Sequence, residues 1–228
     1  MQTSAVFYLG PLPISETVVT TWVIMLILLL VSWLSTRRLQ IEPGPWQIAL
    51  EGVVGAIQDA IAQVLPEHAL KILPFVGTLW IFVVIANLVG IIPGLHGPTA
   101  DLSTTAALAV LVFVSVHWYG IRIHGLKQYL RHYVEPNPIL LPFHIVSEIS
   151  RTVALAVRLF GNIFSLEMAA LLVLLVAGFL VPVPVLLLHI VEALVQAYIF
   201  GMLALIYIAG GIQSLELKKG NGEGAQNA

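Results

Sequence analysis

Three uninterrupted apolar runs, at about residues 17 to 36, 74 to 92 and 103 to 120, each hold close to the roughly 20 residues that a helix needs to cross ~30 Å of hydrocarbon. A 228-residue chain carrying such runs is expected to be integral to a membrane, and its composition agrees: 59% hydrophobic, 10% charged, mean hydropathy +0.98. An average soluble domain carries about 25% charged residues. The formal net charge of −2 argues against a nucleic-acid partner, and the absence of Cys removes disulfides, iron–sulfur clusters and thiol catalysis. The opening MQTSAVFYLGPLPISET has no Lys or Arg before its apolar segment, so it lacks the basic region of a signal peptide. It reads as an outside amino terminus, 1–16, leading into a retained first span.

Between the first two runs, PWQIALEGVVGAIQDAIAQVLPEH places Ile48, Val53, Ile57, Ile61 and Val64 at helical spacing with Glu51, Gln58, Asp59 and Gln63 interspersed. This pattern predicts an amphipathic helix over 44–66 that lies on the membrane surface or against the spans and does not cross. The last third behaves differently. Residues 152–181 and 185–212 are each free of Pro and are separated by VPVP, which makes them an antiparallel hairpin. The first arm alone would be about 45 Å long at 1.5 Å per residue, so fitting it within ~30 Å requires a tilt near 50°, a bend, or an exit from the hydrocarbon. The expected fold is an all-α membrane protein with about five crossings, an amphipathic interfacial helix and a long, strongly tilted hairpin over 140–212, followed by a polar, unstructured tail over 213–228.

Short-loop Lys and Arg set the orientation. Arg37, Arg38 and Lys71 flank the amphipathic segment, Arg122, Lys127 and Arg131 follow the third span, and Lys218 and Lys219 follow the hairpin. The loop at 93–102 and the VPVP turn carry none. All the basic clusters share one side when the amino terminus is outside and the carboxyl terminus cytoplasmic, which suits a bacterial inner membrane.

The hairpin also carries charge where a bilayer excludes it. RTVALAVRLFGNIFSLE contains Arg158, Asn162 and Glu167, and the second arm contains His189, Glu192 and Gln196. An ionisable group at the bilayer centre costs at least ~2.5 kcal/mol, so a set of them implies a bundle interior or a water-filled path. At about 100° per residue, Arg151, Arg158, Asn162 and Ser165 share one face with the small Ala154 and Gly161, while Glu167 lies nearly opposite Arg158. His189, Glu192 and Gln196 form a single stripe of ion-exchanging or hydrogen-bonding groups. A buried Arg keeps its proton, so it is a poor carrier and a good fixed charge. It draws a partner's carboxylate into the ionised state and repels a cation trying to pass alone.

The segment SRTVALAVRLFGNIFSLE resembles the signature helix of the a subunit of rotary F-type ATP synthases, and VEALVQAYIFGMLALIYI resembles that family's last helix. NLVGIIPG and GPTADLSTTAAL are similar to further segments, so the likeness runs from about residue 45 to 212. The resemblance implies a stator subunit that faces a ring of c subunits and serves a ring carboxylate through two ion half-channels, alongside b-type peripheral stalk and other synthase subunits in a lipid bilayer. By position, Arg158 matches the family's essential arginine, Asn162 and Gln196 match polar residues near it, and Glu167 and His189 match a pair in one half-channel. Glu192 joins that half-channel on its shared stripe alone. The ion, proton or sodium, stays open.

Asp101 follows Pro98 and is expected to cap the third span or to sit at a channel mouth. His144 and Glu148 precede the Arg158 segment on the cytoplasmic side, where they line a second channel mouth or are solvated at the interface. Arg151 is expected to reach cytoplasmic water. His68, His117, His124 and His132, at loop or span ends, are expected to be solvated, and Trp22, Trp33, Trp46, Trp80 and Trp118 to anchor at the interface. No phosphate loop, metal-ligand motif or nucleophile constellation is present, so no metal, no cofactor and no enzymatic activity of the chain alone are expected. Two other readings fit charged tilted helices: a secondary transporter, which would show inverted repeats not found here, and a passive scaffold held by polar contacts.

Overall fold

The computed structural model describes residues 5–9, 12–37, 40–92, 97–126, 129, 141–177 and 182–226. Six helices account for most of it: α1 (Glu16–Thr36), α2 (Pro45–Val64), α3 (Ala69–Val89), α4 (Leu102–His124), α5 (Leu141–Ala177) and α6 (Pro182–Gln226). A 3-10 turn, Pro98–Ala100, precedes α4. Hydrocarbon leaves backbone polar groups no partner outside the segment, so apolar runs of this length close their own hydrogen bonds as helices. Five of the six are long and apolar enough to cross a membrane, as the sequence predicts. The non-crossing one is α2. Its Pro45 stands in the first turn, where a missing N–H costs nothing. Ile57 and Ile61 are buried, whereas Ile48 and Val53 stay exposed. The helix therefore lays its second half against α3 and leaves the rest of its apolar face open.

The tilt problem is larger than the sequence suggests. The 37 residues of α5 correspond to about 55 Å of helix. The 45 residues of α6 run well past any bilayer, because the backbone stays helical through Gln226 where the sequence predicts an unstructured tail. No Pro interrupts 185–226, and extending a formed helix is far easier than nucleating one. At the other end, residues 5–9 and 12–15 form a two-stranded antiparallel ribbon, which the sequence does not foretell. The basic residues Arg38, Lys127 and Arg131, together with His132 and Val181 of the VPVP turn, lie outside the described residues.

The core forms where α3, α4, α5 and α6 meet. Leu79, Val83 and Ala86 of α3, Leu108 and Val112 of α4, Leu155 and Leu159 of α5, and Ala197, Phe200 and Ala204 of α6 are buried together. A second cluster joins α2 and the start of α3 to Leu205, Ile208 and Ile212 of α6. Small residues on α6 let the helices approach closely, as lipid-embedded packing requires. At Gly201 an added Cβ would lie 2.7 Å from Trp80 Cδ2. Trp80, only 8% exposed, is thus a core residue stacked on the α6 backbone and not an interface anchor. Trp22, Trp33, Trp46 and Trp118 are exposed, as anchors would be. By contrast, α1 buries only Ile24 and lies at the edge of the bundle.

Candidate functional site

The two faces of α5 have opposite fates. Leu155, Leu159, Ile163 and Leu166 recur at helical spacing and are buried against the bundle. Arg151, Ala154, Arg158 and Ser165 are exposed, with Gly161 and Asn162 half-buried at the edge. The polar face read from the sequence is therefore real, but it points away from the rest of this chain. Arg158 sits on an open helix face lined by small side chains, not in the interior of the chain's own bundle.

Asn162 closes the edge of that face. Its amide nitrogen donates to Gln196 Oε1 at 2.7 Å, tying the two hairpin arms together one turn beyond Arg158. Gln196 and His189 are 1% and 2% exposed and share the buried stripe of α6 with Ala193. Glu192, half-buried, flanks them. Between the two, Asn87 of α3 is fully buried and donates to the Ala193 carbonyl at 3.1 Å. In the sequence Asn87 is marked only as an amide inside an apolar run, two residues before the end of α3.

Glu167 reaches the same end of the bundle. Gly90, just past α3, and Gly97, just before the 3-10 turn, are so close that a Cβ on Gly90 would stand 3.2 Å from Gly97 Cα and 3.3 Å from Glu167 Oε1. The Glu167 carboxylate thus rests on two glycines where the α3–α4 connection crosses α5. Among the described residues, His189 Nε2, Gln196 Nε2, Asn87 Oδ1 and Thr99 Oγ1 are buried side-chain atoms with no hydrogen-bond partner. Buried polar atoms are normally satisfied, so a group of them in one region is what the wall of a hydrated path presents.

Asp101 caps α4: its carboxylate accepts from Ser103 N at 2.9 Å and from Ser103 Oγ at 2.8 Å. The other end of α4 carries a second polar cluster around a cavity of about 250 Å³, lined by His117, Tyr129, His144, Glu148, Arg151 and Tyr207 among others. His117 Nε2 lies 3.2 Å from Glu148 Oε2. The histidine is therefore held by a carboxylate on the next helix and is not simply solvated. The Arg151 guanidinium stands 5.7 Å over the Tyr207 ring, so it is fixed against α6. Along α5, Glu148 precedes Arg158 by ten residues and Glu167 follows it by nine, roughly 15 and 13 Å along the axis.

Arg158 is thus a fixed cation on an open face, about midway along α5 between two polar clusters. The profile of the ATP synthase A chain family matches residues 18–209. The chain belongs to that family. An ATP synthase subunit a 2 of Pelobacter propionicus is 65% identical over 217 residues, covering 95% of each chain. An ATP synthase subunit a of Legionella pneumophila is 60% identical over 213 residues, covering 93% of each. An ATP synthase subunit a 1 of Hahella chejuensis is 65% identical over 206 residues, covering 90% of this chain and 88% of its own. The family match reaches into all five crossings and includes every hairpin site residue from His144 to Gln196. Among the described residues no group of three or more His, Asp or Glu is arranged to hold a metal ion.

Proposed function

We propose that this chain is the ion-translocating stator subunit of a rotary ATP synthase, and that the open face of α5 is where it meets a ring of c subunits. The observation that carries this reading is the placement of Arg158: exposed, flanked by Ala154, Gly161 and Ser165, and lying between two polar clusters. A carboxylate carried past by a neighbouring helix can come close to the guanidinium because the flanking side chains are small. In that position Coulomb attraction keeps it ionised, so an ion it brought must leave. The cluster of Asn87, Glu167, His189, Glu192 and Gln196 would serve one aqueous path and that of His144 and Glu148 the other. Arg158 separates them, so that ions cross only by riding on the ring. Asp101, engaged in its cap, would border the first path.

The remaining assignments rest on the same reading. The chain would act as one membrane domain, with the amino terminus outside, residues 140–212 as the ion-translocating hairpin and residues 213–228 extending into the cytoplasm, in a bacterial inner membrane. Its exposed α1 and the open apolar face at the start of α2 offer surfaces to b-type stalk subunits. ATP chemistry would belong to partner chains. The passive-scaffold alternative finds its best support in the Asn162–Gln196 bond, which does join the two arms.

The chain has no Cys, so single introduced cysteines report unambiguously on the docking face. Cysteines at Ala154 or Ser165 are expected to cross-link to a cysteine on the ring's outer helices in the assembled complex. Cysteines at Leu155, Leu159 or Ile163 are not. Cross-linking from the inner set, or from neither, would overturn the placement of the ring.

The first path makes a separate prediction. Each carboxylate in a wet path stabilises a passing cation by about 1 kcal/mol at ~4 Å. Changing both Glu167→Gln and Glu192→Gln is therefore expected to slow transport roughly thirtyfold while leaving assembly intact. Ion flux in vesicles holding the complex measures this, and normal pumping by the double variant would remove both residues from the path.

A further inference from the structure

We propose that His117 and Glu148 together form a proton-binding station, holding one exchangeable proton between them at the cavity enclosed by α4, α5 and α6. The inference rests on the function proposed above and names the ion handled on the second path. Two contacts decide the protonation. His117 Nδ1 lies 2.9 Å from the Phe113 carbonyl oxygen. A carbonyl only accepts, so Nδ1 carries the hydrogen, and in a neutral imidazole Nε2 is then a bare lone pair. That lone pair faces Glu148 Oε2 at 3.2 Å. An ionised carboxylate offers only lone pairs as well, and two acceptors do not hold each other at this distance. The contact therefore requires one proton, as imidazolium with carboxylate or as imidazole with carboxylic acid.

The surroundings suit exchange more than storage. The His117 and Glu148 side chains are 30% and 24% exposed, so both reach the cavity while remaining half-withdrawn from solvent. The other titratable or charged groups lining the cavity are Tyr129, His144, Arg151 and Tyr207. Arg151 is held over Tyr207. Tyr129 packs directly on Gly120, whose added Cβ would lie 2.6 Å from Tyr129 Cε2, so the cavity is closed on that side by an aromatic ring. A proton released by a carboxylate near Arg158 would bind at Nε2, taking the pair from a net charge of −1 to zero. It would leave as hydronium in cavity water, returning the pair to −1. Glu148 lies toward the α4 carboxyl end and Glu167 toward its amino end, so this station and the Glu167 cluster serve opposite ends of the route.

The experiment is ATP-driven pumping by the assembled complex in vesicles across the neutral pH range, comparing native chain, His117→Gln, Glu148→Gln, the double variant and, as a control, Arg158→Ala. Each single variant is expected to lower the rate roughly a hundredfold and to flatten its pH profile, with the double variant no worse than either single. Normal rates and an unchanged pH profile in the single variants, with pumping lost in Arg158→Ala, would reduce the pair to a helix–helix ion pair and take Glu148 out of the second path, while leaving the role proposed for Arg158 standing. Normal pumping by Arg158→Ala would instead sink that function. Should the pair variants not assemble, the native complex decides: sodium-driven or sodium-dependent pumping whose rate ignores pH would overturn the proton station.

Discussion

Replacing Arg158 by Ala is expected to abolish coupled pumping while the complex still assembles. The size of the effect follows from the charge it supplies. At about 4 Å and an effective dielectric near 20, a guanidinium stabilises an ionised carboxylate by about 4 kcal/mol, close to three pKa units. Without it, a carboxylate arriving at the open face of α5 would keep its ion, and release would slow by up to about a thousandfold. The same substitution would remove the cation that repels ions moving between the two polar clusters, so a passive leak is expected to accompany the lost pumping. Assembly should survive because Arg158 is exposed, while the packing of α5 depends on Leu155, Leu159, Ile163 and Leu166 on its other face. Ion flux in vesicles, with and without ATP and with and without sodium, measures all of this. Unchanged coupled pumping would make the arginine structural, and a complex that falls apart yet pumps normally when intact would favour the scaffold reading.

The parts of this protein that the bilayer dictates are legible in its sequence, because a crossing needs length and hydropathy regardless of its neighbours. The predicted runs at 17–36, 74–92 and 103–120 fall on α1, α3 and α4 within a few residues, and the helical spacing in α2 selects the segment that does not cross. Arg158 and its small companions were also readable as one face, since a single helix determines that grouping. What the sequence does not contain is register between helices. Trp80 reads as an interface residue until Gly201 of α6 is placed beneath it. His117 reads as solvated until α5 brings Glu148 alongside, and Asn87 is an isolated amide until Ala193 of the last helix presents its carbonyl. The open side of α5 was likewise invisible: hydropathy shows that a charge is unwelcome in lipid, but not whether its own chain or another one shelters it.

A further effect away from Arg158 comes from a residue with no side chain. Gly90→Val should slow transport with little change in folding. Even a single Cβ at this position would approach Gly97 Cα to 3.2 Å and Glu167 Oε1 to 3.3 Å. A methyl group alone can be accommodated by shifts of a few tenths of an ångström, so Gly90→Ala should be nearly silent. Val adds two branches whose χ1 choice is narrow, and one of them must occupy the space now taken by the carboxylate or by the Gly97 backbone. The backbone is the stiffer obstacle, because the 3-10 turn Pro98–Ala100 and the Asp101 cap hold it in place. The carboxylate therefore moves. A displaced Glu167 leaves its seat on the two glycines, and a cation in the proposed path loses one of its carboxylate anchors. Valued as in the wet path, one such anchor is worth about 1 kcal/mol at ~4 Å, so a roughly fivefold loss in flux is expected, smaller than the roughly thirtyfold loss from neutralising Glu167 and Glu192 together. The graded series Gly90→Ala, Gly90→Ser and Gly90→Val, measured as flux per assembled complex, separates this from a folding defect: flux should fall with side-chain size while the yield of assembled complex stays level. Flux that stays level while yield falls would place the strain in the α3–α4 connection and release Glu167 from its part in the path.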